Sequence, residues 1–107
     1  MKRLCLFFAI TIPVPEFPEL EKGNYEIVRM SSMGFEFKDR VHLEQLADIV
    51  VLRDNNNVSV VGYLSNDKFI LYDNGISFRG VIRDGRVYGV YANDMHNGAF
   101  SMTRIEE

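Results

Sequence analysis

The strongest indication of the fold comes from residues 68–92, in the second half of the chain. Residues 68–92 read KFILYDNGISFRGVIRDGRVYGVYA, in which Asn74-Gly75 and Asp84-Gly85 each separate two runs rich in apolar and β-branched residues. A third pair of the same type, Asn97-Gly98, follows further along. Tight two-residue hairpins need positive φ at both central positions, which Asn and Asp tolerate and Gly adopts without steric cost. The spacing therefore predicts an antiparallel meander with turns at 74–75, 84–85 and 97–98.

Two-residue turns also fix which residues face each other across the predicted strands. The predicted pairs are Leu71–Phe78, Phe69–Gly80, Ile82–Val87, Gly80–Gly89 and Phe78–Tyr91, with Met95–Phe100 and Asn93–Met102 set by the third turn. These residues share one face, which we predict to be the core because it collects large apolar side chains. Paired glycines inside strands indicate sharp coiling, which a sheet needs in order to close into a barrel.

The remainder of the chain extends this β pattern. We predict strands at 25–30 and 35–38 joined by a turn at 31–34, then strands at 49–53 and 58–64. Between them, a short helix is predicted from Asp39 or Arg40 through Ala47, and its extension to Leu52 is an open alternative. The predicted class is mainly β, a single domain over residues 1–107. It is an antiparallel up-and-down meander forming a small barrel or strongly coiled sheet, with at most one short helix.

The first residues admit two interpretations. Residues 1–3 are Met-Lys-Arg and residues 4–14 are mostly apolar, as in a secretory signal, but no small-x-small cleavage site follows. A strand buried on both faces is favoured, and the proline-rich residues 13–18 then predict a crossover or extended arm. Cys5 is the only cysteine, so no internal disulfide is possible and we expect it to pack in the core. A cytoplasmic location is favoured, with secretion the alternative if residues 1–15 act as a signal.

The last strands carry a family resemblance. The positions concerned are Gly80, Gly89, Tyr91, Gly98, Phe100, Thr103 and Arg104. Their spacing of glycine, turn and aromatic residues resembles the closing strands of lipocalin-like (calycin-type) β-barrel proteins. The resemblance implies a barrel that carries a small apolar ligand, with Phe69, Phe78 and Tyr91 as the residues that would contact it. The Gly-x-Trp signature of the first lipocalin strand is missing, since the chain contains no Trp.

Charge and motifs argue against nucleic-acid binding and catalysis. The net charge is −3 and no basic run occurs, whereas nucleic-acid binding draws on many cationic contacts to phosphate. Walker, dinucleotide-binding, His-Glu-x-x-His and Gly-x-Ser-x-Gly motifs are absent from the sequence. His96 and Asp94 could share a strand face, but a zinc site needs three or four protein ligands. His42 is expected to face solvent from a helix or loop. We therefore predict no enzyme, no cofactor and no metal site.

A binding role is the remaining class. The face opposite the predicted core collects Lys68, Ile70, Tyr72, Ser77, Arg79, Val81, Tyr88, Val90 and Thr103. Tyr and Arg are enriched at interaction hot spots, so Tyr72, Arg79 and Tyr88 are the predicted protein-binding residues. The predicted function is a small protein-binding module or inhibitor acting through this face, and the alternative is the carrier of a small apolar ligand. A homo-oligomer is compatible with either function, and no membrane-spanning segment is predicted because residues 4–14 are too short to cross a bilayer as a helix.

Overall fold

Eight antiparallel strands close into a barrel in chain order. The computed structural model describes residues 19–105, in which each strand pairs with the next and the last pairs with the first. The strands are β1 (Gly23–Ser31), β2 (Glu36–Leu46), β3 (Ile49–Arg53), β4 (Ser59–Ser65), β5 (Lys68–Asp73), β6 (Ile76–Arg83), β7 (Arg86–Ala92) and β8 (Asn97–Arg104). No helix occurs within these residues. The predicted mainly β, up-and-down class is confirmed, and the barrel is closed.

The hairpins on either side of β6 follow the sequence prediction. Asn74 and Gly75 have φ of 50° and 84°, and Asp84 and Gly85 have φ of 54° and 74°. All the predicted pairs between β5, β6 and β7 are present, including Gly80 opposite Gly89. The local turn chemistry therefore sets the register of this half of the barrel.

The predicted turn at Asn97-Gly98 is wrong. These two residues begin β8, and the connection from β7 is a loop of residues 93–96. The Asn93 amide donates to the His96 carbonyl oxygen at 2.8 Å, and Asn93 Oδ1 accepts the His96 amide at 2.6 Å. The Asn93 side chain thus organises this loop, whereas the sequence pattern predicted a turn at Asn97-Gly98.

The register of β8 changes with the position of this loop. Phe100 faces Gly89 instead of Met95, and Met102 faces Val87 instead of Asn93. Gly98 serves a close approach between strands, since a Cβ built on it would overlap the carbonyl oxygen of Met30 in β1. Gly98 is therefore required by the close packing of β8 against β1 in the closed barrel, and not by a turn.

The predicted helix between Asp39 and Ala47 is also wrong. Residues 39–46 continue β2, which pairs with β1 on one side and β3 on the other, and Ala47 lies in the turn before β3. Leu43 is fully buried, while Leu46 is 77% exposed. The ladder with β1 reaches Leu43 and the ladder with β3 covers His42 to Leu46, and together these pairings override a weak helical period. His42, predicted to face solvent from a helix or loop, instead lies in β2, half-buried, with Nδ1 3.3 Å from Asn24 Oδ1.

A compact apolar core fills the barrel towards the end at which β1 begins. The buried apolar side chains are Leu20, Tyr25, Ile27, Leu43, Val50, Leu52, Leu64, Phe69, Leu71, Phe78, Ile82, Val87, Tyr91, Phe100 and Met102. Leu20 covers this end, and its amide donates to Gln45 Oε1 at 2.8 Å. The Tyr25 hydroxyl donates to the Glu21 carbonyl oxygen at 2.7 Å, and burial raises the pKa of Tyr25 against an opposing effect of Arg104. This end of the barrel is closed by side chains.

Three predictions fall on residues outside the described range. The N-terminal strand or signal, the buried Cys5 and the proline-rich arm all lie in residues 1–18. Within residues 19–105 there is no helix long and apolar enough to cross a membrane.

Candidate ligand-binding site

The opposite end of the barrel holds a cavity. This open end carries the connections at 32–35, 54–58, 74–75 and 93–96. The cavity has a volume of about 520 Å³, within the range of about 300–1,000 Å³ usual for small-molecule sites. Its floor consists of core side chains, namely Ile27, Leu52, Leu71 and Phe78. Its rim includes the polar residues Asp54, Asn55, Asn56, Asp73 and Asn74. An apolar floor beneath a polar rim suits a ligand whose apolar part enters first.

A charged side chain, Arg29, lies inside this end of the barrel. Arg29 follows Tyr25 and Ile27 at intervals of two along β1, so it shares their inward face. Its side chain is only 15% exposed. The guanidinium carbon lies 4.8 Å from the centre of the Phe37 ring and 5.5 Å from that of Tyr91, which favours a cation through the ring quadrupole.

The polar contacts of Arg29 are incomplete. Nη2 lies 3.4 Å from Asp39 Oδ2, longer than a well-formed N–H···O hydrogen bond. The Nε atom is buried without a hydrogen-bond partner among residues 19–105. Buried N–H groups are normally paired, because an unpaired one loses its hydration with nothing in return. Arg29 also lines the cavity, so this incompletely paired guanidinium lies at the wall of the site.

Tyr91 adds a second unpaired polar atom beside Arg29. Its side chain is 2% exposed, and its hydroxyl oxygen is buried with no hydrogen-bond partner in the described part of the chain. Its ring centre lies 6.2 Å from that of Phe78, which forms part of the cavity floor. Tyr91 does not itself line the cavity, so it belongs to the packing around Arg29 and Phe78.

An aromatic group borders the same end. The His96 ring meets Phe35 nearly edge-on at 5.7 Å between centres, and Phe37 at 6.0 Å. Phe37 thus lies against both His96 and Arg29. His96 Nδ1 is buried without a partner in residues 19–105. Asp94 and His96 are two candidate metal ligands in the sequence. Within residues 19–105, no three His, Cys, Asp or Glu side chains are placed to hold a metal ion.

The residues predicted to contact a ligand occupy different places. Phe78 lines the cavity, and Tyr91 stands beside Arg29. Phe69 is 1% exposed within the filled core, packs against Phe100 and does not line the cavity. Arg29 was missed by sequence reasoning, although its alternation with Tyr25 and Ile27 is a usable signal for an inward position.

The residues predicted to bind a protein lie on the outer surface. Tyr72 is 70% exposed on β5, Tyr88 is 42% exposed on β7, and Arg79 is exposed on β6 between them. Arg79 pairs with Ile70 on one side and Val90 on the other, so both tyrosines lie diagonally from it. The structure places all three on one outer face.

The fold and the site together define a class of small, closed, eight-stranded antiparallel barrel with one filled end and one open end. The chain matches no protein-family profile, and a comparison with curated proteins gives no significant match.

Proposed function

We propose that this protein is a non-enzymatic binding protein that takes a small ligand with an apolar body into the open end of its barrel. The observation that carries this proposal is the cavity of about 520 Å³ whose floor is continuous with the core. The closed barrel is compatible with the lipocalin-like pattern in the last strands. Membership of that family and a carrier role are part of the proposal.

The core in the filled half of the barrel supplies an apolar floor for the ligand and supports it from below. A ligand on the floor formed by Ile27, Leu52, Leu71 and Phe78 removes apolar surface from water, at roughly 25 cal/mol per Å². The floor side chains are packed from below by the core, so the ligand would meet a largely preformed surface. A preformed site loses less conformational entropy on binding than a flexible one.

Filling the cavity provides the test. Ile76 lines the cavity at the start of β6 and is only partly buried, so Ile76→Trp is expected to occupy the cavity without disrupting the core. The neutral fluorescent probe N-phenyl-1-naphthylamine should bind the wild type and lose at least about tenfold in affinity in this variant. Fluorescence titration measures both.

The matched control adds the same side chain on the outside. Val90 is 60% exposed on β7, so Val90→Trp should leave probe binding unchanged. No binding to the wild type, or equal losses in the two variants, would contradict the proposed site.

The outer face supports a second candidate function, a protein-binding module or inhibitor. Tyr63, Ile70, Arg79 and Val90 face one another in one row across β4 to β7. The apolar members are 57%, 48% and 60% exposed, respectively. Contiguous exposed apolar side chains often mark an interaction surface, and Tyr72 and Tyr88 extend the row with amphipathic rings.

Replacing Tyr72, Arg79 and Tyr88 together by Ala tests this second function. The variant should keep the wild-type melting temperature, since all three side chains are exposed, and should lose any partner that the wild type captures from cells of its own source. The control combines Glu44→Ala, Val51→Ala and Arg53→Ala on the outer face of β2 and β3. Capture unaffected by the first variant, or lost equally in the control, counts against this face.

A further inference from the structure

We infer that the ligand of the open end is an amphipathic anion, whose carboxylate is bound by Arg29 while its apolar body lies on the cavity floor. This inference rests on the proposed ligand-binding function and specifies the chemical class of the ligand. It depends on Arg29, which lines the cavity and whose Nε lacks a hydrogen-bond partner in the described part of the chain.

The surroundings of Arg29 leave its charge undercompensated. A guanidinium removed from water requires both an opposite charge and hydrogen bonds for its N–H groups. The opposite charge available is Asp39, whose side chain is 59% exposed and whose oxygen lies 3.4 Å away. Phe37 and Tyr91 supply ring faces, which attract the cation but accept no strong hydrogen bond from Nε. A ligand carboxylate would supply both a negative charge and hydrogen-bond acceptors for the guanidinium.

The shape of a guanidinium favours a carboxylate in particular. Its N–H groups form a planar fork that binds two oxygens at once, and Nε is one edge of that fork. Tyr91 contributes its ring face to the same guanidinium and is not itself one of the residues that line the cavity. A neutral apolar molecule would leave Nε of Arg29 without a partner and so gain nothing from the guanidinium.

The other charges around the cavity do not select an anion by themselves. They are Lys38, Arg40, Asp39, Asp54 and Asp73, so together with Arg29 three basic side chains face three acidic ones. Asp54 is engaged locally, since its Oδ1 accepts the amides of Asn56 and Val58 at 2.8 and 3.0 Å. Selection of an anion therefore comes from the position of Arg29 above the apolar floor and not from the net charge of the cavity.

Displacement of N-phenyl-1-naphthylamine by paired ligands provides the test. Decanoate and decan-1-ol have the same chain and differ in the charged group. Decanoate should displace the probe from the wild type at a concentration at least about tenfold lower than decan-1-ol, as expected for hydrogen bonds to a charged group. Arg29→Gln should remove this preference, because it weakens displacement by decanoate much more than displacement by decan-1-ol.

Two further variants separate a specific role for Arg29 from a general effect of charge or folding. Asp39→Asn removes the carboxylate that competes for the guanidinium, so it should strengthen decanoate binding more than decan-1-ol binding and thereby increase the preference. Lys38→Gln removes one exposed positive charge from the rim and should change the preference much less than Arg29→Gln. The opposite responses expected for Asp39→Asn and Arg29→Gln cannot both arise from loss of folding.

The outcomes distinguish this inference from the function on which it rests. If the wild type binds the probe but shows no preference for decanoate, or if Lys38→Gln loses the preference as fully as Arg29→Gln, the anion inference is overturned and the carrier proposal stands. If the folded wild type binds neither the probe nor either ligand, both fail.

Discussion

Phe100→Ala is expected to lower the free energy of unfolding by about 3–5 kcal/mol, the usual cost of truncating a buried aromatic side chain. Phe100 is 4% exposed, and its ring meets Phe78 edge-on at 5.0 Å and lies 6.3 Å from Phe69. It also lies on β8, which closes the barrel by pairing with both β7 and β1. Truncation would leave an empty space in the core beside the strand that joins β7 to β1. Urea unfolding measures the loss of unfolding free energy.

Phe35→Ala is the matched control for this loss. Phe35 undergoes the same change of side chain but is 51% exposed, at the connection between β1 and β2. Its truncation should cost less than about 1 kcal/mol, since surface substitutions rarely cost more. Equal losses in the two variants would show that Phe100 does not hold the closure together.

The sequence predicts the register of β5 to β7 because the deciding interactions are local. Asn74-Gly75 and Asp84-Gly85 adopt positive φ through their own backbone preferences, and a two-residue turn then fixes every pair on either side. Nothing distant can shift this register without burying polar residues. The inward positions of Phe78 and Tyr91 follow from the same argument.

The errors arise where distant strands decide the structure. Asn97-Gly98 has the composition of a turn, but Gly98 is required by Met30 and Ser31, which are remote in sequence and adjacent in the closed barrel. Residues 39–47 likewise carry a weak helical pattern, yet pairing with β1 and then with β3 holds residues 39–46 extended, and Ala47 lies in the turn that follows. Neither constraint is visible before the barrel is known to be closed.

The candidate site was predicted only in part for the same reason. Phe78 and Tyr91 belong to the meander whose register is locally fixed, so they could be placed near a ligand. Arg29 lies on β1, whose partners β2 and β8 are set by barrel closure. A charged residue on a strand is ordinarily assigned to the solvent face, and only the alternation with Tyr25 and Ile27 indicates otherwise. Its unpaired Nε is a property of tertiary structure alone.

Gly89→Ala is expected to cost about 3 kcal/mol of stability, because the closest approach between β6 and β7 has no room for a methyl group. A Cβ at Gly89 would overlap the carbonyl oxygen of Arg79 and lie 2.5 Å from the Cα of Gly80. Both contacts are with backbone, which cannot move aside as a flexible side chain can. The strands would have to separate next to Phe78 and Tyr91, so the wall of the cavity would be disturbed together with the core.

Gly85→Ala separates this steric effect from the conformational freedom of glycine. Gly85 has φ of 74°, so Ala is strained there, but no atom lies within 4 Å of the added Cβ. The expected cost is about 1–2 kcal/mol, that of a left-handed conformation alone. Thermal unfolding of the two variants should therefore rank Gly89→Ala as the more damaging, even though its backbone needs no unusual φ. If Gly85→Ala were the more destabilising variant, β6 and β7 would be able to move apart at little cost, and their close approach at Gly89 would not be important for stability.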